Sequence, residues 1–230
     1  MQDAGNSDPW ESSRRTMVDR QIRTFDVTDS AVIDRMLAVP REKFLPASLE
    51  PLAYSDSALL LPGATGERPR SLLPPLVLAR LLQGARLLPT DKALVVAAGS
   101  GYSTALIAGL AGDAVAVESD PALYAALRGG LDAFGLAKVR TLPTPLVAGA
   151  PSEAPFDVIL VDGGVAGRLD SLFEQLKDGG RLVTVQQMAD GACKAVRYDK
   201  ADGATGYRIL FDASAPVLDA FRRVEEFTFS

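Results

Sequence analysis

At 230 residues, 47% hydrophobic and 23% charged, the chain has enough apolar material for one folded core and too little length for a second. Its 24 basic and 29 acidic side chains give a net charge of -5, which leaves no basic excess for a nucleic-acid backbone, and no apolar stretch is long enough to span a bilayer. Histidine is absent and Cys193 is the only cysteine, which excludes a Ser/His/Asp triad, a histidine general base, histidine-ligated metals, an internal disulfide and a cysteine zinc site. A lone cysteine fits a reducing compartment, and the polar start MQDAGNSDPWESSRR lacks the apolar centre of a signal peptide, so a cytoplasmic protein without membrane or nucleic-acid partners is expected.

From Asp8 to Arg23 polar residues are spaced by Trp10, Met17, Val18 and Ile22, the pattern of a cover helix. Asp29 is placed to cap a helix running through Val39, ahead of Pro40. Six prolines between Pro46 and Pro75 then punctuate a long irregular stretch, whose most mobile candidate is GATGERPR, Gly63 to Arg70. Pro75 suits the first turn of a helix carrying Leu76, Leu78, Ala79, Leu81 and Leu82, with Gly84 near its end.

A regular alternation follows: strand Ala93–Ala97, helix Ser103–Leu110, strand Val115–Glu118, helix Pro121–Phe134, strands Val139–Leu142 and Phe156–Val161, helix Leu169–Lys177, strand Arg181–Val185. This rhythm predicts an α/β fold, a doubly wound, mostly parallel sheet with helices on both faces. Ala195–Tyr198 and Tyr207–Phe211 flank DKADGATG, whose Asp-Gly and Thr-Gly pairs favour an antiparallel hairpin at the sheet's end, and FRRVEEFTF reads as a last edge strand.

The most informative segment is LVVAAGSGY, Leu94 to Tyr102, an apolar run that breaks into Gly-Ser-Gly. Glycines at a strand end let backbone N–H groups approach a ligand, and the positive end of the next helix points to the same place. Glu118 closes a second apolar run one helix-length later, where a carboxylate can accept hydrogen bonds from ribose hydroxyls. Together they read as a nucleoside site; taken singly, a glycine turn and a solvated strand-end acid are commonplace.

These features resemble the S-adenosylmethionine-dependent methyltransferases, and among them the protein-L-isoaspartate O-methyltransferase family. MVDRQI, VPREKFLP, AYSD, GSGYSTALIAGLAG, PFDVILVD and QLKDGGRLV resemble that family's blocks in order, over about residues 17–218. The resemblance implies a Rossmann-like methyltransferase domain over residues 76–230 and an N-terminal helical and substrate-side segment over residues 1–75, forming one structural unit. It also implies S-adenosylmethionine as cofactor, held by Gly99, Ser100 and Gly101 at the methionine and ribose end and by Glu118 on the ribose hydroxyls. Asp162 ends the strand that borders the reacting methyl in such sheets; lining the ligand and capping a helix are both open to it. Tyr54 and Asp56 match the family's substrate-side Tyr-x-Asp, where packing or a turn hydrogen bond is an equal alternative.

The chain departs from the family where polar groups or bare backbone are needed. An acid and a glycine of the first strand block are Val95 and Ala97 here. The family's Gln-Thr-Ile-Ser-Gln-Pro aligns with residues 70–75, Arg-Ser-Leu-Leu-Pro-Pro, so the catalytic serine position falls on Leu73, which has no hydroxyl, and Ser71 is the candidate substitute. The family's Gly-Asp-Gly, whose aspartate would meet the adenine amino group, is missing from RTLPTPLVAG. Two functions stand at this level. One is carboxyl methylation of isoaspartyl residues in damaged protein or peptide, with Asp56 and Ser71 positioning the acceptor. The other is a noncatalytic or changed-substrate homologue that keeps the scaffold.

Overall fold

The computed structural model describes residues 9–63 and 70–223. Seven strands form one sheet in the order β5-β4-β3-β6-β7-β8-β9: β3 (Lys92–Val96), β4 (Asp113–Val117), β5 (Arg140–Leu142), β6 (Phe156–Val165), β7 (Leu176–Gln187), β8 (Cys193–Ala201) and β9 (Ala204–Asp212). The first five in that order pair in parallel and β8 and β9 join antiparallel, as the sequence pattern predicts. Side-chain alternation explains the double cover. Along β3, Ala93 and Val95 enter one buried cluster and Leu94 and Val96 the other, and along β6 Val158 and Leu160 oppose Ile159 and Val161 in the same way.

One face carries α3 (Pro75–Ala85), α4 (Tyr102–Ile107) and α5 (Pro121–Ala133), together with the N-terminal helices α1 (Pro9–Met17) and α2 (Ser30–Ala38), whose Met17, Val32 and Met36 join the same buried cluster. Asp29 caps α2 as expected, accepting from the Ala31 and Val32 N–H groups at 2.9 and 3.4 Å. Asp120 does the same for α5, whose first residue is Pro121. Between α1 and α2 the chain passes through a π-helical turn, Val18–Ile22.

Three segments differ from the sequence expectation. Inside the proline-rich stretch, β1 (Leu59–Leu61) and β2 (Arg70–Leu72) form a small antiparallel pair with Leu61 opposite Arg70, and β2 packs on β6. The helix expected over residues 169–177 is the short α6 (Asp170–Glu174), because Leu176 already pairs with Phe156 as β7 begins. The strand expected from Phe221 begins instead as a 3-10 turn, Asp219–Phe221, whose Phe221 carbonyl accepts from the Ala166 and Gly167 N–H groups at 2.8 and 2.6 Å; the rest of that expected strand lies outside the described residues. Of GATGERPR only Gly63 and Arg70 are described.

Candidate functional site

The carboxyl ends of β3, β4 and β6 meet at one rim, as they must in a parallel sheet, and the sequence-predicted residues Gly99, Ser100, Gly101, Glu118 and Asp162 lie on it. The loop after β3 turns through three left-handed residues, Ala97 (φ 62°), Gly99 (φ 57°) and Gly101 (φ 100°). Ala97 thus keeps the backbone that a glycine would adopt freely, at a steric cost of about 1–2 kcal/mol. Its methyl neither opens nor removes the turn.

Glu118 is fully buried, and its carboxylate organises the rim. Oε2 accepts the Gly99 N–H at 2.9 Å, Oε1 accepts the Asp120 N–H at 3.0 Å, and the Arg70 Nη2 lies 3.5 Å from Oε1. The same Arg70 nitrogen donates to the Ser119 hydroxyl at 2.9 Å. Leu61, opposite Arg70 in the β1–β2 pair, covers Gly99 closely enough that a Cβ there would stand 3.1 Å from its Cδ1. The side chain expected on ribose hydroxyls therefore holds protein groups in this conformation, two backbone N–H groups and the neighbouring Arg70 guanidinium.

Asp162 is also buried, and burial pushes its carboxyl up to about 6. The nearby Ser103 hydroxyl and Arg41 guanidinium oppose this rise, and the Glu118 carboxylate adds to it. Arg41 is fully buried over the Tyr102 ring, 4.9 Å from its centroid, and donates from Nη2 to the Leu73 carbonyl at 2.8 Å. Burial lowers its pKa from the ordinary arginine value, with Tyr102 and Asp162 acting the other way. The Leu73 side chain is fully buried in the core, so the position aligned with the family's serine points no polar group at the rim.

The other two predicted residues separate. Ser71 lines a cavity of about 760 Å³ beside the carboxyl ends of β6 and β7, whereas Asp56 is exposed in a bend and lines neither that cavity nor the smaller one described below. Tyr54, two residues earlier, donates to the Glu42 carboxylate and receives the Arg14 Nη1 at 3.2 Å, which ties α1 to the turn at Arg41–Phe44. Arg41 and Arg70 are the residues that sequence reading passed over. Both were visible, Arg41 within VPREKFLP and Arg70 within the aligned substrate loop, but neither spacing nor period shows what a long cation reaches.

The residue types at the rim fit an adenosyl ligand. Two glycines with positive φ, a strand-end carboxylate and two buried oxygens without hydrogen-bond partners, Ser100 Oγ and Asp162 Oδ1, are groups such a ligand would engage. Ser100 also lines a second, mainly apolar cavity of about 340 Å³ between Phe44, Leu61 and Leu123. In this conformation both Glu118 oxygens hold backbone N–H groups and Arg70 stands beside Oε1. Among the described residues no cluster of His, Cys, Asp or Glu could hold a metal ion, and no helix is long and apolar enough to cross a membrane.

A doubly wound sheet with a glycine turn after its first strand, an acid at the tip of the second and an antiparallel end defines a Rossmann-like methyltransferase fold. The sequence profile of the protein-L-isoaspartate(D-aspartate) O-methyltransferase family matches residues 12–212, and the chain belongs to that family. The protein-L-isoaspartate O-methyltransferase of Koribacter versatilis is 35% identical over 170 residues, 74% of each chain. A solved protein-L-isoaspartate O-methyltransferase superposes with a TM-score of 0.78 at 22% identity, over 91% of this chain and 67% of that one. A second structure, from Plasmodium falciparum and in complex with S-adenosyl-L-homocysteine, superposes with a TM-score of 0.76 at 18% identity, over 90% and 98%.

Proposed function

We propose that the chain is an S-adenosylmethionine-dependent methyltransferase that esterifies isoaspartyl carboxylates in protein or peptide substrates, acting in the cytoplasm. The observation that carries this reading is the hydrogen bond from Gly99 N–H to Glu118, which locks the glycine turn and the strand-end acid into one rim in a member of this family. When bound, the cofactor supplies a methyl group on a sulfonium, so attack by a carboxylate oxygen breaks the C–S bond and needs no general base. The protein's task is alignment. Residues 97–101 bring the unpartnered Ser100 hydroxyl and a turn held by Glu118 to the rim, Glu118 would take the ribose hydroxyls once Arg70 withdraws, and Asp162 would lie at the methionine end. The described part of the N-terminal segment, residues 9–63 and 70–75, would form the acceptor side, with Ser71 on the adjoining cavity.

The second reading, a homologue with a changed acceptor or none, is favoured by the buried Leu73 and by the Arg70–Glu118 contact. Calorimetric titration with S-adenosylhomocysteine, followed by a methyl-transfer assay on an isoaspartyl peptide, separates the two. Saturable binding and transfer are expected, and Glu118→Ala weakens binding by roughly 1–3 kcal/mol, the cost of a buried partner lost. Absence of binding at millimolar ligand would refute the transferase reading.

A further inference from the structure

The cavity of about 760 Å³ is of ligand size, and its described lining contains three arginines, Arg70, Arg222 and Arg223, and no acidic side chain. Its far wall is built by residues 215–218. They cross the tip of β6 through Gly164, whose N–H donates to the Pro216 carbonyl at 2.9 Å and whose carbonyl accepts from the Leu218 N–H at 2.8 Å. A side chain at Gly164 would collide with the carbonyls of Ala215 and Pro216, so the crossing is tight. It delivers Arg222 and Arg223 to the same opening as Ser71.

Arg70 faces Glu118, which leaves Arg222 and Arg223 as the two cations turned to the opening. Arg223 donates from Nε to the Ala166 carbonyl at 3.2 Å and from Nη2 to the Gln187 carbonyl at 3.4 Å, both neutral groups, so its charge meets no carboxylate among the described residues. Arg222 contacts Asp219 at 2.7 Å but stays 41% exposed, and an exposed pair of this kind is held by so little energy that the guanidinium can exchange to an incoming carboxylate. One arginine on neutral carbonyls beside one in an exchangeable surface pair gives this opening two guanidinium groups that an anionic side chain can engage, against the net charge of -5 of the whole chain.

We infer that this cavity receives the methyl acceptor and that Arg222 and Arg223 make it selective for isoaspartyl segments flanked by acidic residues. This rests on the transferase reading and deepens it, since the cavity adjoins the adenosyl rim through Arg70, which lines the one and contacts Glu118 in the other. The two arginines are specificity residues; neither touches the reacting atoms.

The test uses fluorescent isoaspartyl peptides of one backbone with Asp/Glu or Lys flanks, titrated against the full chain by anisotropy in the presence of S-adenosylhomocysteine. Methyl transfer to the same peptides is followed in parallel with S-adenosylmethionine. The acidic peptide binds on the order of 10-fold more tightly, and the preference shrinks with added salt. Arg222→Gln with Arg223→Gln abolishes the preference, and Arg222→Lys with Arg223→Lys, which keeps the charge, retains it. Equal affinity for the two peptides, a preference that survives neutralisation, or one lost equally in the lysine variant overturns the inference. A charge preference in binding without transfer to either peptide would reject the transferase reading and leave an anion-selective peptide site. Transfer without preference would reject only the selectivity.

Discussion

Replacing Arg70 by glutamine, the residue the family carries at the aligned position, should move stability and cofactor affinity in opposite directions. Arg70 and Glu118 are 5% and 0% exposed and 3.5 Å apart. At an effective dielectric of 20 their attraction is about 5 kcal/mol, less the cost of desolvating both ions. Glu118 keeps its hydrogen bonds from Gly99 and Asp120, so loss of the arginine falls at the low end for a broken buried pair, about 3 kcal/mol. Urea unfolding of Arg70→Gln without ligand reads that loss. Calorimetric titration with S-adenosylhomocysteine reads the other side. If the sugar must displace the guanidinium, removing it raises affinity by 10-fold at least and by about 10²-fold if the whole contact energy opposes binding, at 1.4 kcal/mol per decade. A variant that is less stable and binds no more tightly would refute the competition and leave Arg70 a structural brace.

Two further substitutions probe the same rim and a third the buried position 73. The Asp162 carboxyl, raised from 3.8 to about 6 by burial, binds its proton more tightly when folded than when unfolded, so its contribution is full below about pH 4 and is lost as pH rises through 6. Asp162→Asn removes that loss, worth about 3 kcal/mol for the full displacement, and the variant should exceed the wild type in urea at pH 7.5 while matching it near pH 4; equal gaps at both would sink the assignment. Ala97→Gly relieves the left-handed strain at φ 62° and should raise stability by about 0.5–1 kcal/mol after the added freedom of the unfolded chain, read as a higher melting temperature; a lower one would show that the methyl packs productively. Leu73→Ser sets a hydroxyl in a fully buried apolar site and should cost about 3–5 kcal/mol with no gain in methyl transfer, whereas a well-folded serine variant that gains transfer would place residue 73 at the reacting centre.

What was legible in the sequence is what local backbone physics dictates. Leu94 to Tyr102 announces a strand and a glycine turn because its apolar residues face two covered sides and its glycines take up positive φ. Asp29 announces a helix start because a short acid before an apolar period caps N–H groups, and Asp202-Gly203, both at positive φ, closes the hairpin between β8 and β9. The β1–β2 pair was hidden because each strand has three residues and its register joins Leu59 to Leu72 across a stretch that prolines make look irregular. The helix expected to reach Lys177 stops early because Phe156 captures Leu176 into the sheet, a tertiary pairing that overrides a helical period. The same division runs through the site. Gly99 and Glu118 are fixed by the ends of neighbouring strands and so could be read from two short motifs. Arg70 reaches Glu118, and Arg222 and Arg223 reach the cavity beside Ser71, through contacts between segments 48 and about 150 residues apart. The cofactor half of such a fold is therefore the half that short motifs specify, while the acceptor half depends on which long side chains the peripheral segments deliver. The chain departs from its family in both halves, at Ala97 in the glycine turn and at Leu73 in the acceptor loop, and its substrate preference has to be sought in the second.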